Sequence, residues 1–254
     1  MVDSLDERIG TIGDQTIRVE KAIRTIRDDS VLLLERLEAD IPTNSCMKTL
    51  VGHTDSVECV HFESPRALMV SGSADKTVRV WDLTTYGCAA VLTGHTGWIR
   101  AVQVRGTTVI SGSSDHTLRQ WKVNGEKPYQ VIHGHSGSVN GVWFDDDQLI
   151  TGSADRTVKV WDLRNNIQTP SISLCEMRVG GSVTAIACDR TRVIVACGEV
   201  GVALLRRNTT GQALLSHCTT LVGHDRPVGA VRVVGDTLVS GAMDQTVRVW
   251  RVEI

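Results

Sequence analysis

Aromatic residues are scarce in this chain: two Phe, two Tyr and six Trp make up 4% of 254 residues. Proline is scarcer still, with five. Apolar runs such as Val31-Leu32-Leu33-Leu34 stop far short of the roughly 18 residues a membrane-spanning helix needs. The N-terminus carries no charged-then-apolar segment of secretory type, which reduces the Asn208-Thr209-Thr210 sequon to a coincidence. Seven Cys, at 46, 59, 88, 175, 188, 197 and 218, are odd in number and contain no CxxC pair. They read as reduced thiols of a cytosolic or nuclear protein. Charge of one sign is also missing: 27 basic against 29 acidic residues leave −2, too weak a field to argue for nucleic acid or a membrane surface. What the chain does have is 23 Gly and a 41% apolar share. At this length roughly 70–75% of the unfolded surface can be buried, so a core needs no disulfide or metal.

A repeat near forty residues governs most of the sequence. Gly-His pairs stand at Gly52-His53, Gly94-His95, Gly134-His135 and Gly223-His224, with steps of 42, 40 and 89 between the His residues. A Trp follows each His, at Trp81, Trp121, Trp161 and Trp250, by 28, 26, 26 and 26 residues. Between them lies a second constant block: Ser71-Gly-Ser-Ala-Asp75, Ser111-Gly-Ser-Ser-Asp115, Thr151-Gly-Ser-Ala-Asp155 and Ser240-Gly-Ala-Met-Asp244. Self-similarity at this period marks a repeat architecture. The intervening runs, such as Thr77-Val-Arg-Val-Trp81 and Val139-Asn-Gly-Val-Trp-Phe144, are rich in Val, Ile and Thr and read as four strands per unit.

The pattern resembles the WD40 repeat, whose Gly-His and Trp-Asp dipeptides stand here as Gly52-His53 with Trp81-Asp82 and Gly134-His135 with Trp161-Asp162. The second and last units follow Trp with Lys122 and Arg251 instead. The resemblance covers about residues 46–254 and implies an all-β propeller whose blades are four-stranded sheets. In such a blade a buried Trp N–H needs an acceptor, which a Ser or Thr hydroxyl supplies; the hydroxyl contacts His, and Asp fixes the other His nitrogen. The sets would be His53/Ser71/Asp75/Trp81, His95/Ser111/Asp115/Trp121, His135/Thr151/Asp155/Trp161 and His224/Ser240/Asp244/Trp250. Ser, His and Asp in company suggest a hydrolase triad, but four copies suit a structural network better than one active site. Histidines in separate blades, with both nitrogens engaged, also argue against a metal site. No catalytic residue and no cofactor is expected.

Between Asp162 and Gly223 there is room for one degenerate unit with strands at 182–188, 192–196 and 202–205, in which Leu205 takes the Trp position. That makes five blades, where rings of this family more commonly have seven. Residues 46–51 precede the first Gly-His and the last unit stops after its third strand, so 46–51 are expected to complete the last blade and close the ring. The rivals are a chain lacking whole repeats and an open arc completed by a second chain.

Residues 1–45 are of another kind. Leu5, Ile12, Val19, Ile26 and Leu33 recur every seven residues, and Ile9, Thr16, Ile23, Ser30 and Leu37 follow four after each. This spacing predicts an N-terminal helix forming a coiled coil through residues 5–37, hence a homo-oligomer. A lone amphipathic helix folded onto the propeller is the competing reading. The segment holds ten acidic and six basic residues, net −4, leaving +2 for the remainder.

Function then falls to surfaces. By resemblance, Glu58, Arg100, Asn140, Thr184 and Gly229, one beyond the inward aliphatic of each first strand, should surround the channel mouth. Lys76, His116, Arg156 and Gln245, each following a tetrad Asp, should do the same. Arg100, Lys76, Arg156 and His116 would tint blades one to three basic, suited to an acidic or phosphorylated segment. Trp98, in a loop after the second Gly-His, is a further candidate. The expected protein is a non-enzymatic, cytoplasmic interaction scaffold with no direct nucleic acid contact and no membrane insertion. Peripheral association with an organelle through a partner is compatible with this. Two alternatives come from resemblance. Val109–Asp115 and Leu149–Asp155 are similar to repeats of F-box WD proteins, which recognise substrates for ubiquitin ligases. A heptad segment ahead of a propeller, with Phe62–Val70 and Leu118–Trp121, is similar to the fungal mitochondrial-division WD adaptors that recruit a dynamin-like GTPase.

Overall fold

The computed structural model describes residues 46–125, 127–164, 173–189, 191–198, 201–207 and 214–252. The heptad segment, with both its readings, lies outside the described residues. Lys48–Ile254 form one compact unit built of antiparallel sheets. Blade one comprises β1 (Val57–Glu63), β2 (Leu68–Ser73), β3 (Val78–Asp82) and β4 (Gly87–Leu92); blade two, β5 (Ile99–Arg105), β6 (Thr108–Ser113), β7 (Leu118–Lys122) and β8 (Gln130–Ile132). Blade three comprises β9 (Val139–Phe144), β10 (Gln148–Ser153), β11 (Thr157–Asp162) and β12 (Cys175–Arg178). Blade four, the degenerate unit, comprises β13 (Val183–Cys188), β14 (Arg192–Cys197), β15 (Gly201–Arg207) and β16 (Leu215–Leu221). Blade five has three strands, β17 (Val228–Val234), β18 (Thr237–Ala242) and β19 (Val247–Arg251).

Strand order follows chain order inside every blade, as short turns joining antiparallel neighbours require. The second strands of blades three and four are buried along their whole length, so beyond Gln148 and Arg192 at their starts both faces carry apolar or small residues rather than an alternation. First strands pack on the first strand of the next blade, β1 on β5, β5 on β9, β9 on β13 and β13 on β17. The core is therefore a series of apolar layers between blades. One layer sets Val70, Val78 and Val80 of blade one against Ile99, Val102 and Val104 of blade two; another sets Val158 and Val160 against Val183 and Val195.

Each first strand begins with the same irregularity. Val57 pairs with Ser73 but Cys59 pairs with Gly72, so Glu58 has no opposite number. The ladder likewise skips Arg100, Asn140, Thr184 and Gly229. This is a β-bulge, which leaves the extra residue outside the pairing and re-aims its side chain.

Residues 46–51 form no strand, Val51 is exposed, and among the described residues no fourth strand pairs with β19. Val57 is 52% exposed, whereas its counterparts Ile99, Val139, Val183 and Val228 are fully buried. On blade five Val247 and Val249 are 70% and 54% exposed, although their counterparts Val158 and Val160 are buried. The repeat places 46–51 in the position of an outer strand, like β4 and β8. Closure depends in addition on the angle turned between successive blades, a property of interblade packing that no single repeat's motif encodes.

Candidate functional site

Four of the five blades carry a hydrogen-bonded tetrad at one end. In blade two, Trp121 Nε1 donates to Ser111 Oγ at 2.9 Å, Ser111 lies 2.8 Å from His95 Nε2, and His95 Nδ1 is 2.7 Å from Asp115 Oδ2. Blade one repeats this with Trp81, Ser71, His53 and Asp75, at 2.8, 2.7 and 2.7 Å. Blade three uses Trp161, Thr151, His135 and Asp155, at 2.9, 2.8 and 2.8 Å; blade five uses Trp250, Ser240, His224 and Asp244, at 2.8, 2.8 and 2.7 Å. The proton positions follow from the chemistry of the ends. An indole N–H can only donate and an ionised carboxylate can only accept, so the hydroxyl donates to Nε2 and Nδ1 carries the ring proton. Every tetrad histidine is then held at both ring nitrogens. Burial holds His95 and His135 below the usual imidazole value, against the opposing pull of Asp115 and Asp155. Burial works against the charged form of Asp155 too, but hydrogen bonds from Thr157, His135 and the Ser136 amide outweigh it and bring its carboxyl to about 2.

Ser–His–Asp contacts of this kind match those of a hydrolase triad, yet the hydroxyls are buried and each already accepts an indole N–H. A substrate carbonyl has no approach to them. A fifth member escaped the sequence reading: Thr77, Thr117, Thr157 and Thr246 donate to the second carboxylate oxygen at 2.6–2.7 Å. The signal was present, since a Thr stands two residues after every tetrad Asp.

Blade four holds together differently. Leu205 faces Val193 across the ladder, as Trp161 faces Leu149, and is fully buried with no polar group to satisfy. Two buried arginines near the opposite end reach into the neighbouring blades. Arg207 is hydrogen-bonded to Asp145, donates to Gln148 Oε1 at 3.0 Å, and stacks 4.7 Å over the Trp143 ring, all in blade three. Arg192 donates to Gly235 O at 2.6 Å and Val252 O at 3.1 Å, in and beyond blade five.

The tetrads support the end of the propeller on which the candidate contact residues lie. Antiparallel pairing places the loops entering the first strands beside the turns between second and third strands, so the bulge residues, Trp98 and the turn residues share one face. The structure sorts them. Arg100 Nη1 lies 2.8 Å from Glu58 Oε2, an ion pair between blades that offsets the positive charge expected there. Asn140 Nδ2 donates to Val183 O at 2.8 Å, and Thr184 Oγ1 bonds Val228 O, so both are ties between blades. Lys76, His116, Arg156 and Gln245 are exposed, and all four sit in the left-handed region at φ of 70°, 69°, 68° and 67°. Trp98 is 51% exposed; its carbonyl accepts the Ser114 amide at 2.9 Å, which fixes the loop while leaving the indole in solvent.

Repeated blades with buried tetrads and a polar loop face define a β-propeller built to present a surface. The chain belongs to the WD40 family: its model, "WD domain, G-beta repeat", matches residues 44–82, 86–122, 126–162 and 215–251. Blade four is the unmatched one. The chain is similar to "Mitochondrial division protein 1" of Chaetomium globosum, 32% identical over 104 residues, which is 41% of this chain and 15% of that protein. The namesake in Aspergillus clavatus is 38% identical over 86 residues, covering 34% and 13%. "Nuclear distribution protein nudF 1" of Talaromyces marneffei is 46% identical over 56 residues, covering 22% and 12%. The matched segments thus span less than a sixth of these relatives. Among solved structures, a chain of the mitotic checkpoint complex superposes with a TM-score of 0.73 at 19% identity, covering 84% of this chain and 67% of that one. The computationally designed Ika8 protein gives 0.65 at 26% identity, covering 79% and 59%. Among the described residues, no helix is long and apolar enough to cross a membrane.

Proposed function

We propose that the chain is a non-enzymatic adaptor that binds an acidic or phosphorylated protein segment on the face carrying Lys76, Trp98, His116 and Arg156. One observation carries this reading. A left-handed backbone costs a side-chain-bearing residue about 1–2 kcal/mol that glycine avoids, yet all four tetrad-bearing blades, one, two, three and five, place a polar side chain there. Around Trp98 three of these four are Lys, His and Arg, each pointing a donor into solvent and none with an ion pair among the described residues. Such groups suit carboxylates or phosphates, with the indole as apolar anchor. Arg100 contributes less than its charge suggests, because Glu58 occupies it.

The test is fluorescence anisotropy of a labelled phosphoserine- and Glu-rich peptide against the full chain. Lys76→Gly with Arg156→Gly, and separately Trp98→Ala, are expected to weaken binding about tenfold or more, roughly 1.4 kcal/mol. The glycine variants should melt no lower than the parent, since the strained turns relax. Unchanged affinity in all of them would overturn the assignment of the face.

A more specific reading, an adaptor in mitochondrial division, is favoured by the names of the relatives. It would have residues 5–37 self-associate so that several propellers engage one target multivalently, raising avidity roughly 10²- to 10⁴-fold. The protein would then work in the cytoplasm, held at an organelle by its partner. Co-purification with the full chain separates this from the ubiquitin-ligase alternative: a dynamin-like GTPase supports it, a cullin-type ligase sinks it.

A further inference from the structure

Neighbouring blades meet through a knob and a socket. In blades two, three and four the first residue of the inner strand seats on a glycine of the preceding blade's second strand; behind Val228 of blade five, blade four carries Ala196 at that position. A methyl group added at Gly72 would stand 2.4 Å from Ile99 Cγ2, one at Gly112 2.7 Å from Val139 Cγ1, and one at Gly152 2.5 Å from Val183 Cγ1. The same socket in blade five, Gly241, is empty: a methyl group there would meet nothing within 4 Å. The matching knob in blade one, Val57, has no socket and is half exposed. The surroundings agree. Val60 and Phe62 beside the knob are exposed, while their counterparts Val102 and Val104 are buried. Met243, Val247 and Val249 beside the socket are exposed in the same way. A groove of about 290 Å³ runs along the blade-one flank, lined by Val51, Val57, Val60 and Met69.

We propose that these flanks are the two halves of one interface, joined between copies of this chain, with Val57 of one copy seated on Gly241 of another. The occupant follows from continuity with the interfaces already present. Whatever covers blade five must present a β-branched knob flanked by apolar side chains, and whatever covers blade one must present a socket of a small residue bordered by apolar side chains. A second copy supplies both. The contact is head-to-tail, joining unlike patches, so it can propagate beyond a dimer. It also covers the flank beside β19, whose open edge would otherwise invite uncontrolled strand addition.

Disulfide trapping of the full chain tests this. In a background carrying Cys46→Ser, Cys88→Ser and Cys218→Ser, which removes the thiols exposed among the described residues together with Cys218, one preparation carries Val57→Cys and a second, of different tagged size, carries Gly241→Cys. Both sites are open, so the fold should tolerate them; circular dichroism and melting check this. Mild oxidation of the mixture is expected to yield a mixed-size linked species. Adding Val247→Asp and Val249→Asp should reduce its yield at least tenfold. Pairing Val57→Cys with Thr84→Cys, an exposed turn residue away from the flanks, should give background yield. Three results would overturn the proposal: no mixed species, equal yield with the Thr84 control, or a Val57→Cys/Gly241→Cys double variant that links only within one chain, which would mean a closed five-bladed ring.

Discussion

Blades three and four have the same strand order and similar strand lengths, but different interactions hold them. Blade three ties its entering loop to its own strands through Trp161, Thr151, His135 and Asp155. Blade four has no such network and is anchored by its own Arg192 and Arg207 to the blades on either side. The tetrad is thus not what makes a blade: apolar layers between sheets do that. The polar network fixes one end of the blade, and where it is missing as a unit, a single apolar side chain fills the space and the fixing moves to the opposite end. Loss of one tetrad member alone would be worse than loss of all, because it leaves the others buried without partners.

The largest expected effect is at the clamp. Arg207→Ala removes the ion pair with Asp145, the bond to Gln148 and the stacking on Trp143, and should cost about 3–5 kcal/mol in chemical denaturation. A loss no larger than that of an exposed arginine such as Arg164 would break the comparison. Next comes the tetrad. Ser111→Ala strands the buried Trp121 N–H and His95 Nε2 and should cost about 2–3 kcal/mol; Ser240→Ala should cost less, because Trp250 is only partly buried and water can reach it. Equal losses would mean that burial does not set the cost.

The smallest effect is that of acid. His95 and His135 are held below their usual value near 6.5 in the folded state, so below that pH the unfolded chain binds more protons and stability falls. The slope is at most about 1.4 kcal/mol per pH unit for each proton taken up. The depressed carboxylates of Asp115 and Asp155 add a second loss as pH falls below the ordinary carboxylate range. Blade four has no histidine network, so hydrogen-exchange protection, corrected for intrinsic rates, should decline from pH 7 to pH 5 in blades two and three before blade four. Uniform decline would show that the blades open together.

Much of this was readable from residues. The forty-residue period, the tetrad residues, the degenerate unit and Leu205 in place of Trp all follow from local pattern, because each repeat's chemistry is closed within about thirty residues. The Thr beside each Asp was equally visible but unused. What could not be read lies between repeats. Nothing near Arg100 announces that Glu58, 42 residues earlier, occupies it, and nothing near Arg192 or Arg207 shows that they reach into adjacent blades. Ring closure is of the same kind: residues 46–51 stand where an outer strand should, yet they form no strand, and Val57 and Val247 on the flanks concerned are exposed.

The bulge at the start of every first strand has one further consequence. A residue outside the ladder can be exchanged without shifting a single pairing, so the five positions 58, 100, 140, 184 and 229 are uncoupled from the register that builds the blades. At 58 and 100 the freedom is spent on an ion pair, at 140 and 184 on ties to the next blade, and at 229 it lies open as a bare glycine. One face of the protein is in that sense a keyboard: which keys carry charge, bulk or nothing can be reset one at a time, and the sheets beneath keep their pairing.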